Sequence, residues 1–471
     1  MAISTEVDAG TLREQLRGQV LVPGDEGYDQ ARRVWNAAID RRPAMIARCT
    51  GAADVIAAVR FARERSLLTA VRGGGHNVAG LGTCDGGLVI DCSPMKGIRV
   101  DPSRRLVVAQ AGVLWGELDR ETQAFGLAAP GGFISTTGIA GFTLGGGFGW
   151  LSRAIGLAAD NLVAADVVTA DGTLIRATPD EHADLLWGLR GGGGNFGAVT
   201  AFEYSLHGIG PVVLAGPILF PGEEARVVLA AVAEVVSQAP DELFVGVILR
   251  RAPAASYIPS ELHGRPVAIV GVCWSGPVEE GARAVAPIRT IAEPLLDLLE
   301  PRPYVQWQSM MDGGWASGAR NYWKAEYIAL DENAIDACAA AAERITSPAS
   351  DIKIGSFGGA IARVEEGATA FGHRSAPFIL NINARWTDAA DDERHVRWAR
   401  DLWTAAQPSS AGGVYVNFLG EEGHDRVRAA YGDALFERLV TLKRGYDPTN
   451  FFRVNQNIPP EPLTPPRTDR S

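Results

Sequence analysis

The alternation of apolar and polar residues predicts short strands and a helix in the first 200 residues. Apolar runs at 19–23, 45–49, 67–72, 87–92, 105–113 and 199–206 are typical of strands. Thr50 precedes Val55, Ile56 and Val59 at helical spacing, which predicts a helix, and further helices are predicted over 32–40, 114–125 and 181–190. Asp171-Gly172, between two alternating runs, indicates a β-hairpin.

The character of the chain changes at about residue 208, where glycine becomes sparse. Long helical patterns at 223–238 and 331–345 alternate with strand-like runs at 243–250, 266–274 and 378–386. This order predicts an α+β domain in which helices cover a sheet. The last 60 residues change again, with a predicted strand at 415–417, one helix over 426–446 and a Pro-rich tail. The predicted boundaries are 1–207, 208–411 and 412–460, with a disordered tail at 461–471.

Composition excludes several classes of partner. The chain has 471 residues, a net charge of -11 and no basic run, which argues against nucleic-acid and anionic-membrane partners. No apolar stretch is long enough to span a membrane, and the N-terminus lacks the apolar core of a secretory signal. Five scattered cysteines without a CxxC pair argue against a zinc site or a disulfide framework and predict a reduced, cytoplasmic protein without a metal site.

Three glycine-dense segments, at 72–77, 131–149 and 191–197, carry the candidate chemistry. In the first, three glycines follow a predicted strand and expose backbone N–H groups that suit a pyrophosphate. His76 follows at once, although a single histidine in a tight turn is often structural. The segment 192–197 matches GxGxxG, but a helix precedes it and a strand follows, the reverse of a dinucleotide-binding loop. Together, the three segments indicate one large, flat, phosphate-bearing ligand.

Several motifs in this order carry a resemblance to a known family. They are RRPAMIARC, VRGGGHN, LGGGFGWLSRAIGLAADN, VTADG, LLWGLRGGGGNFGAVT and YDPTNFFRVNQNIPP. The chain resembles the vanillyl-alcohol-oxidase superfamily, in particular berberine-bridge-enzyme-like and 6-hydroxy-D-nicotine-oxidase-like FAD-linked oxidases. The resemblance implies an α+β fold with a bilobed PCMH-type FAD-binding domain, to which 412–460 returns, and a substrate domain with an antiparallel sheet covered by helices.

The same resemblance implies a covalent 8α-histidyl bond between FAD and His76. Relatives with a second, cysteinyl link carry Cys shortly before a Thr-x-Gly, where this chain has Ile134, so attachment through His76 alone is expected. The expected FAD-binding residues are His76, Arg72, Gly73, Gly74, Gly75, Asn77, Gly132, Thr136, Thr137, Gly138, Gly141, Gly145, Gly146, Gly147, Gly149, Val199, Asn455 and Asn457. The two asparagines alternate on a strand and would bond the flavin ring or ribityl chain, or else satisfy a strand end.

Catalytic and substrate residues are less sharply defined. Tyr415 and Asn417 would share one strand face near the flavin, and Tyr415 and Glu326 are the candidate bases. Asn381, Asn383 and Arg385 alternate on one strand face, which would line a pocket if buried and be solvated if outward. The remaining expected substrate-pocket residues are Trp150, Tyr322, Lys324 and His373.

Three functions are compatible with these motifs. The first is an oxidase that takes hydride from a C–H next to O or N of a small molecule and passes the electrons to O2 as peroxide. The second is an N5-oxide-dependent oxygenase of natural-product biosynthesis, similar to the family's enterocin-pathway rearrangement catalyst. The resemblance implies that Thr137 lies at the position that controls oxygen access, although Thr137 could instead cap its own loop. The third is a flavin- or ligand-binding protein without turnover. Neither the substrate nor the oligomeric state follows from the motifs.

Overall fold

The computed structural model describes residues 9–461, so most of the predicted disordered tail lies outside the described residues. The strands are β1 (Gln19–Leu21), β2 (Met45–Arg48), β3 (Thr69–Arg72), β4 (Leu88–Asp91), β5 (Ile98–Asp101), β6 (Leu106–Gln110), β7 (Leu127–Ala128), β8 (Leu162–Val168), β9 (Leu174–Ala177), β10 (Ala198–Ser205), β11 (His207–Gly208), β12 (Val212–Pro221), β13 (Leu243–Arg251), β14 (Pro266–Trp274), β15 (Leu296–Asp297), β16 (Glu300–Pro303), β17 (Arg320–Ile328), β18 (Asp351–Ser356) and β19 (Phe378–Trp386).

Helices of very different length connect and cover these strands. They are α1 (Ala9–Gln15), α2 (Tyr28–Ala31), α3 (Ala52–Glu64), α4 (Trp115–Gln123), α5 (Ile139–Leu144), α6 (Ser152–Ile155), α7 (Ala183–Leu189), α8 (Ala225–Gln238), α9 (Val278–Arg289), α10 (Tyr304–Ser309), α11 (Glu332–Glu343), α12 (Ala360–Arg363), α13 (Asp392–Ala406), α14 (His424–Tyr431) and α15 (Asp433–Tyr446). Among the described residues, no helix is long and apolar enough to span a membrane.

The N-terminal unit contains two main sheets. One has the order β1-β2-β4-β3, in which β4 runs parallel to both β2 and β3, and the other is antiparallel with the order β5-β6-β10-β8-β9. The β8–β9 hairpin turns at the predicted Asp171-Gly172. Residues of α14, α15 and the final segment share one apolar core with these sheets, for example Leu439, Phe452 and Ile458. The chain therefore returns to its first unit at its end.

The second unit is one large sheet with the order β15-β12-β14-β13-β18-β19-β17, to which β16 adds through β12. Its strand pairs are antiparallel. Helices α8, α9, α11 and α13 cover one face through an apolar core that includes Val247, Ile354 and Leu380. The opposite face points toward the glycine-rich loops of the first unit. The α+β architecture with a helix-covered antiparallel sheet is thus confirmed.

Five local predictions are wrong, one of which is the strand expected to carry Asn455 and Asn457, because both residues lie in a segment without helix or strand. Residues 32–40 form no helix, and a short helix, α5, interrupts the glycine-rich loop. Residues 416–418 form a single 3-10 turn in place of a strand. The helix predicted over 426–446 is divided into α14 and α15 at Gly432, whose φ of 75° is accessible to glycine and breaks the helical path.

One carboxyl between the two units is buried without a partner. Both oxygens of Asp119 on α4 lack a hydrogen bond within residues 9–461, and burial raises the pKa of this carboxyl well above its usual range. Between its pKa in the unfolded chain and this higher folded pKa, the folded state binds one proton more than the unfolded state. Stability is therefore lost as the pH rises through that window, by about 1.4 kcal/mol per pH unit.

Replacing Asp119 with asparagine is expected to remove this loss, because the amide has nearly the same shape and never ionises. Urea unfolding from pH 4 upward would show the variant gaining stability over the wild type as the pH rises. Glu121→Gln, an exposed position on the same helix, is the matched control and is expected to follow the wild type. Parallel pH profiles for Asp119→Asn and wild type would contradict the assignment.

Candidate functional site

A deep cavity lies between the glycine-rich loops of the first unit and the uncovered face of the large sheet. It encloses about 2100 Å³ of empty space, including its opening to solvent. Loops around Gly73, Gly138 and Gly194 form one side, and β13, β14, β18 and β19 form the other. The cavity is therefore the place where the two units of the chain meet.

The first loop presents free backbone donors to this cavity. Within the described part of the chain, no backbone N–H from Gly73 to Asn77 donates to another protein group. The loop also touches the second glycine-rich loop directly, because a Cβ on Gly74 would lie 2.5 Å from the backbone nitrogen of Gly138. Only glycine permits this approach, which holds a row of N–H groups against the cavity in a form suited to an anion.

The charge at the start of this loop is internally neutralised. Arg72 lines the cavity, but its guanidinium lies 2.7 Å from the buried carboxylate of Asp91 and also donates to the carbonyl of Ala31. Arg72 therefore anchors the loop to the sheet beneath it. Recognition of an anion in this cradle falls to the backbone N–H groups.

His76 is held rigidly at the edge of the cavity. Its ring stacks on Trp35 with centroids 4.6 Å apart, and Nε2 is buried without a hydrogen-bond partner in the described structure. Burial, and secondarily the positive charge of Arg385, lower the pKa of His76 to about 4. The imidazole is therefore neutral at physiological pH and keeps a free nitrogen lone pair.

The final segment of the chain closes the cavity from a third side. Asn455 donates from Nδ2 to the carbonyl of Gly194 over 2.9 Å, and Asn195 donates to the carbonyl of Gln456. The fully buried ammonium of Lys443 donates to the carbonyl of Asn195 and to Asp447. These bonds fix the third glycine-rich loop against the C-terminal segment, so that Asn455 and Gln456 both reach the cavity wall.

A buried hydroxyl projects from the 3-10 turn next to the second loop. Tyr415 Oη accepts hydrogen bonds from the backbone N–H of Gly147 and from Asn417 Nδ2, each 2.9 Å long. Burial raises the pKa of Tyr415 above its usual value. The phenol therefore keeps its proton, which it can donate to a ligand in the cavity. This placement makes Tyr415 a candidate donor, and its role as a base stays a prediction.

The sheet side of the cavity carries one cation. Lys353 on β18 lies with Nζ 3.3 Å from the centre of the Trp315 ring and 3.4 Å from Asp351 Oδ1. Burial lowers the pKa of Lys353 to about 8, although Asp351 opposes the shift. On the neighbouring strand, Asn381 faces the same cavity with Oδ1 unpartnered. A lysine with this pKa is free to accept a proton above about pH 8.

Comparison with known proteins agrees with this geometry. Residues 43–178 match the FAD binding domain family, and residues 414–459 match the berberine and berberine-like family. An FAD-linked oxidoreductase of Dictyostelium discoideum is 32% identical over 453 residues, 95% of this chain and 96% of that protein. The chain belongs to the berberine-bridge-enzyme-like family of FAD-linked oxidoreductases. It is therefore an FAD-dependent oxidoreductase.

Two further similarities place the chain within this family. The (R)-6-hydroxynicotine oxidase of Paenarthrobacter nicotinovorans is 33% identical over 467 residues, 95% of this chain and 97% of that protein. The crystal structure of 6-hydroxy-D-nicotine oxidase from Arthrobacter nicotinovorans superimposes with a TM-score of 0.85 at 29% identity, covering 98% of this chain and 100% of that one. Similarity thus extends over both units and is not confined to the FAD-binding motifs.

The residues of this berberine-bridge-like chain fit FAD. The backbone cradle at 73–77 suits the pyrophosphate, and His76, whose Nε2 has no hydrogen-bond partner in the described structure, lines the cavity. The predicted FAD residues on the cavity wall are Arg72, Gly73, Gly74, Gly75, His76, Asn77, Gly132, Thr137, Gly138, Gly141, Val199 and Asn455.

Six predicted FAD residues lie off the cavity wall. Thr136 is exposed, and Asn457 is half-buried with an Oδ1 that has no hydrogen-bond partner in the described structure. The others are glycines that permit close packing within the protein: Gly145 against Asn417, Gly146 against Phe371, Gly147 against Phe142, and Gly149 against the backbone of Gly131. These glycines shape the loop that borders the cavity.

The predicted catalytic and substrate residues include one group that lines the cavity and another that lies on the opposite face of the large sheet. Tyr415, Asn417, Thr137, Trp150 and Asn381 line the cavity. Tyr322, Lys324 and Glu326 point from β17 to the opposite face, where they bond to Arg400, Glu422 and Arg426 respectively. Both carboxylate oxygens of Glu326 already accept hydrogen bonds, from Trp403 and Ser410. This placement corrects the prediction that Glu326 acts as a base and that Tyr322 and Lys324 contact substrate.

The other three predicted substrate residues lie behind the cavity wall. Asn383 donates to Asp351, and Arg385 donates to Asn321 and to the carbonyl of Ala316. His373 bonds the carbonyl of Ala429 at the side of Tyr327. All three side chains make these contacts within the protein and do not line the cavity, which corrects their assignment to the substrate pocket.

Sequence reasoning missed most of the sheet side of the site. Lys353, Trp315 and Trp323 line the cavity but lie in no recognised motif. The alternation of β18, in which Lys353 and Gly355 alternate with Ile352 and Ile354, was the available signal.

Proposed function

We propose that the protein is an oxidase that carries FAD on His76 alone and oxidises a small organic molecule at a C–H next to O or N. The observation that carries this proposal is the neutral imidazole of His76, with its Nε2 unpartnered in the described structure, directly after the backbone cradle. A neutral ring nitrogen is the nucleophilic form that a bond to the flavin requires. A bound FAD would accept a hydride from the substrate and pass its two electrons to O2, giving H2O2.

A single attachment is supported by the cysteines. The glycine-rich loop at 130–149 contains none, and Ile134 lies on the cavity wall. Cys92 lines the cavity, but burial raises the pKa of its thiol to about 12. Because a thiol must ionise to act as a nucleophile, Cys92 stays inert.

Lys353 supplies the proton chemistry in this proposal. Loss of a hydride from a carbon leaves a carbonyl or imine only if the neighbouring O–H or N–H also loses its proton. The amine of Lys353, with its pKa near 8, accepts that proton, and the resulting ammonium remains paired with Asp351 and the Trp315 ring. Tyr415 Oη and the Oδ1 of Asn381 supply a donor and an acceptor that orient the substrate.

Reoxidation in air tests the oxidase assignment. The protein would be photoreduced without oxygen, mixed with aerated buffer, and assayed for flavin absorption and H2O2. We expect rapid recovery of oxidised flavin and one equivalent of H2O2 per flavin. A flavin that stays reduced in air would contradict an oxidase and leave a dehydrogenase or a non-catalytic protein.

One observation favours an oxygenase as the second candidate. Thr137 lines the cavity, and its hydroxyl makes no hydrogen bond within residues 9–461, so it is available to an oxygen species. Replacing Thr137 with valine, which keeps the shape and removes the hydroxyl, is expected to abolish any transfer of ¹⁸O from ¹⁸O2 to product while peroxide formation continues. Thr137→Ser is the control and should retain transfer. Unchanged ¹⁸O incorporation in the valine variant would remove the basis for this candidate.

A further inference from the structure

Three glycines lie side by side on the cavity face of the large sheet. Gly246 on β13 pairs with Gly271 on β14 and with Gly355 on β18, so the three form one row across three neighbouring strands. All three line the cavity. We call this row the glycine strip. It is a flat stretch of backbone in the middle of a sheet that elsewhere carries side chains.

Backbone conformation does not require these glycines. None of the three has a positive φ, so any residue could adopt their extended conformation. Glycine within a strand lowers stability by roughly 0.5–1 kcal/mol relative to alanine and often marks a place where a ligand approaches closely. The absence of side chains along the strip therefore leaves room for a ligand to lie close against the sheet.

The space above the strip differs between its three members. A Cβ on Gly271 would lie 3.0 Å from the Trp150 ring, and one on Gly355 would lie 3.2 Å from Phe148, so protein rings cover these two positions. A Cβ on Gly246 meets only its own strand neighbour Phe244 at 3.3 Å and the backbone oxygen of Ile354 at 3.5 Å. Gly246 is therefore the member of the strip that no ring of the glycine-rich loops covers, because its nearest ring, Phe244, belongs to its own strand.

Aromatic rings border this position. Phe133, Trp150 and Phe244 pack edge to face or tilted, with centroid distances of 4.8 to 5.5 Å. Their surfaces and the strip give this part of the cavity flat, apolar walls. Such walls favour a rigid, planar ring system over a flexible or branched molecule.

The polar end of the pocket lies next to the glycine strip, on β18 and β19. Lys353 follows the same strand face as Gly355 at a spacing of two residues, about 7 Å in an extended strand. Lys353 pairs in register with Asn381, whose Oδ1 is free. A hydroxyl at the edge of a ring on the strip would thus meet an amine and an amide oxygen.

We propose that the substrate is a planar aromatic molecule with at least two fused rings and a hydroxyl on a carbon attached to the ring system, which lies on the glycine strip at Gly246 with that hydroxyl toward Lys353 and Asn381. This inference rests on the proposed function, because it assigns the substrate class of the same site. It makes Gly246 a specificity-determining residue, since a side chain there occupies the place of the ring.

Calorimetric titration of the flavin-loaded protein with two probes tests this proposal. The probes are 2-naphthol and its saturated counterpart decahydro-2-naphthol, which has the same hydroxyl but is not flat. We expect 2-naphthol to bind at least about tenfold more tightly, the scale on which one misplaced methylene is discriminated in a shaped pocket. Equal affinities would overturn the proposal.

Variants at Gly246 locate the discrimination. Gly246→Val is expected to weaken 2-naphthol at least about tenfold and to change decahydro-2-naphthol much less. Gly246→Ala, whose Cβ would lie 3.3 Å from the Phe244 ring and requires only a small shift of that side chain, keeps the test valid if the valine variant does not fold, and a smaller loss in the same direction is expected. Gly208→Ala, on an exposed strand away from the cavity, is the control and should bind both probes like the wild type.

The flavin content of each preparation shows whether a negative result contradicts the proposed function or only the role of the glycine strip. Protein that binds no flavin would contradict the proposed function itself. Yellow, flavin-loaded protein in which Gly246→Val or Gly246→Ala leaves the preference for 2-naphthol unchanged would overturn only the assignment of the strip.

Discussion

Replacing Lys353 with methionine is expected to lower kcat/KM about 10²- to 10⁴-fold, the range that a positioned general base contributes. Methionine keeps the length and the apolar stem but cannot accept a proton. The assay is peroxide formation from the best substrate in a panel of aromatic alcohols, phenols and amines. A variant within tenfold of the wild type would contradict the role of Lys353.

The pH dependence gives an independent signature of this role. Because burial lowers the pKa of Lys353 from its ordinary value to about 8, the amine is protonated below that pH and free above it. We therefore expect kcat/KM of the wild type to rise with pH and level off above about 8. The methionine variant should lose this rise.

Two control variants separate proton transfer from charge and from general disturbance. Lys353→Arg keeps the positive charge but stays protonated, so it should be as impaired as the methionine variant. If the arginine variant remained active, Lys353 would act as a fixed charge. Lys96→Met removes a half-exposed lysine that pairs with Glu117 away from the cavity and should leave kcat/KM unchanged.

Replacing His76 with alanine is expected to abolish covalent attachment of FAD completely. The variant removes the one neutral, unpartnered imidazole on the cavity wall of residues 9–461, while the backbone cradle at 73–75 remains. FAD should still bind but appear in the supernatant after acid precipitation, whereas the wild type should retain it in the pellet. Covalent flavin in His76→Ala would contradict this assignment.

His395 provides a matched control for this substitution. It is also a buried histidine whose pKa is lowered by burial, but it bonds Thr346 and packs against Trp386 away from the cavity. His395→Ala is expected to keep its flavin in the pellet. Loss of covalent flavin in both variants would indicate a general effect of unfolding.

The first loop was predictable because its information is local. A strand, three glycines and a histidine lie within 69–76, so the cradle and His76 follow from neighbours in sequence. The glycines at 145–149 belong to an equally recognisable motif, yet their close contacts are with Asn417, Phe371 and other protein groups. Glycine density indicates close approach but does not say whether a ligand or the protein itself approaches.

The sheet side was not predictable because it depends on register and on which face the helices cover. Alternation correctly placed Tyr322, Lys324 and Glu326 on one face of β17, but this is the face that α13 and α14 cover with polar partners. Trp323, between them, reaches the cavity. The pairing of Gly246 with Gly355, more than 100 residues later, likewise appears only when the strands are aligned.

Intact mass of the denatured wild-type protein tests the central claim most directly. Formation of the bond joins the imidazole to FAD with loss of two hydrogens, so we predict a mass equal to the polypeptide plus FAD minus two hydrogens, from one modified peptide that contains His76. A polypeptide of unmodified mass, or a modified peptide that contains a different residue, would contradict the account.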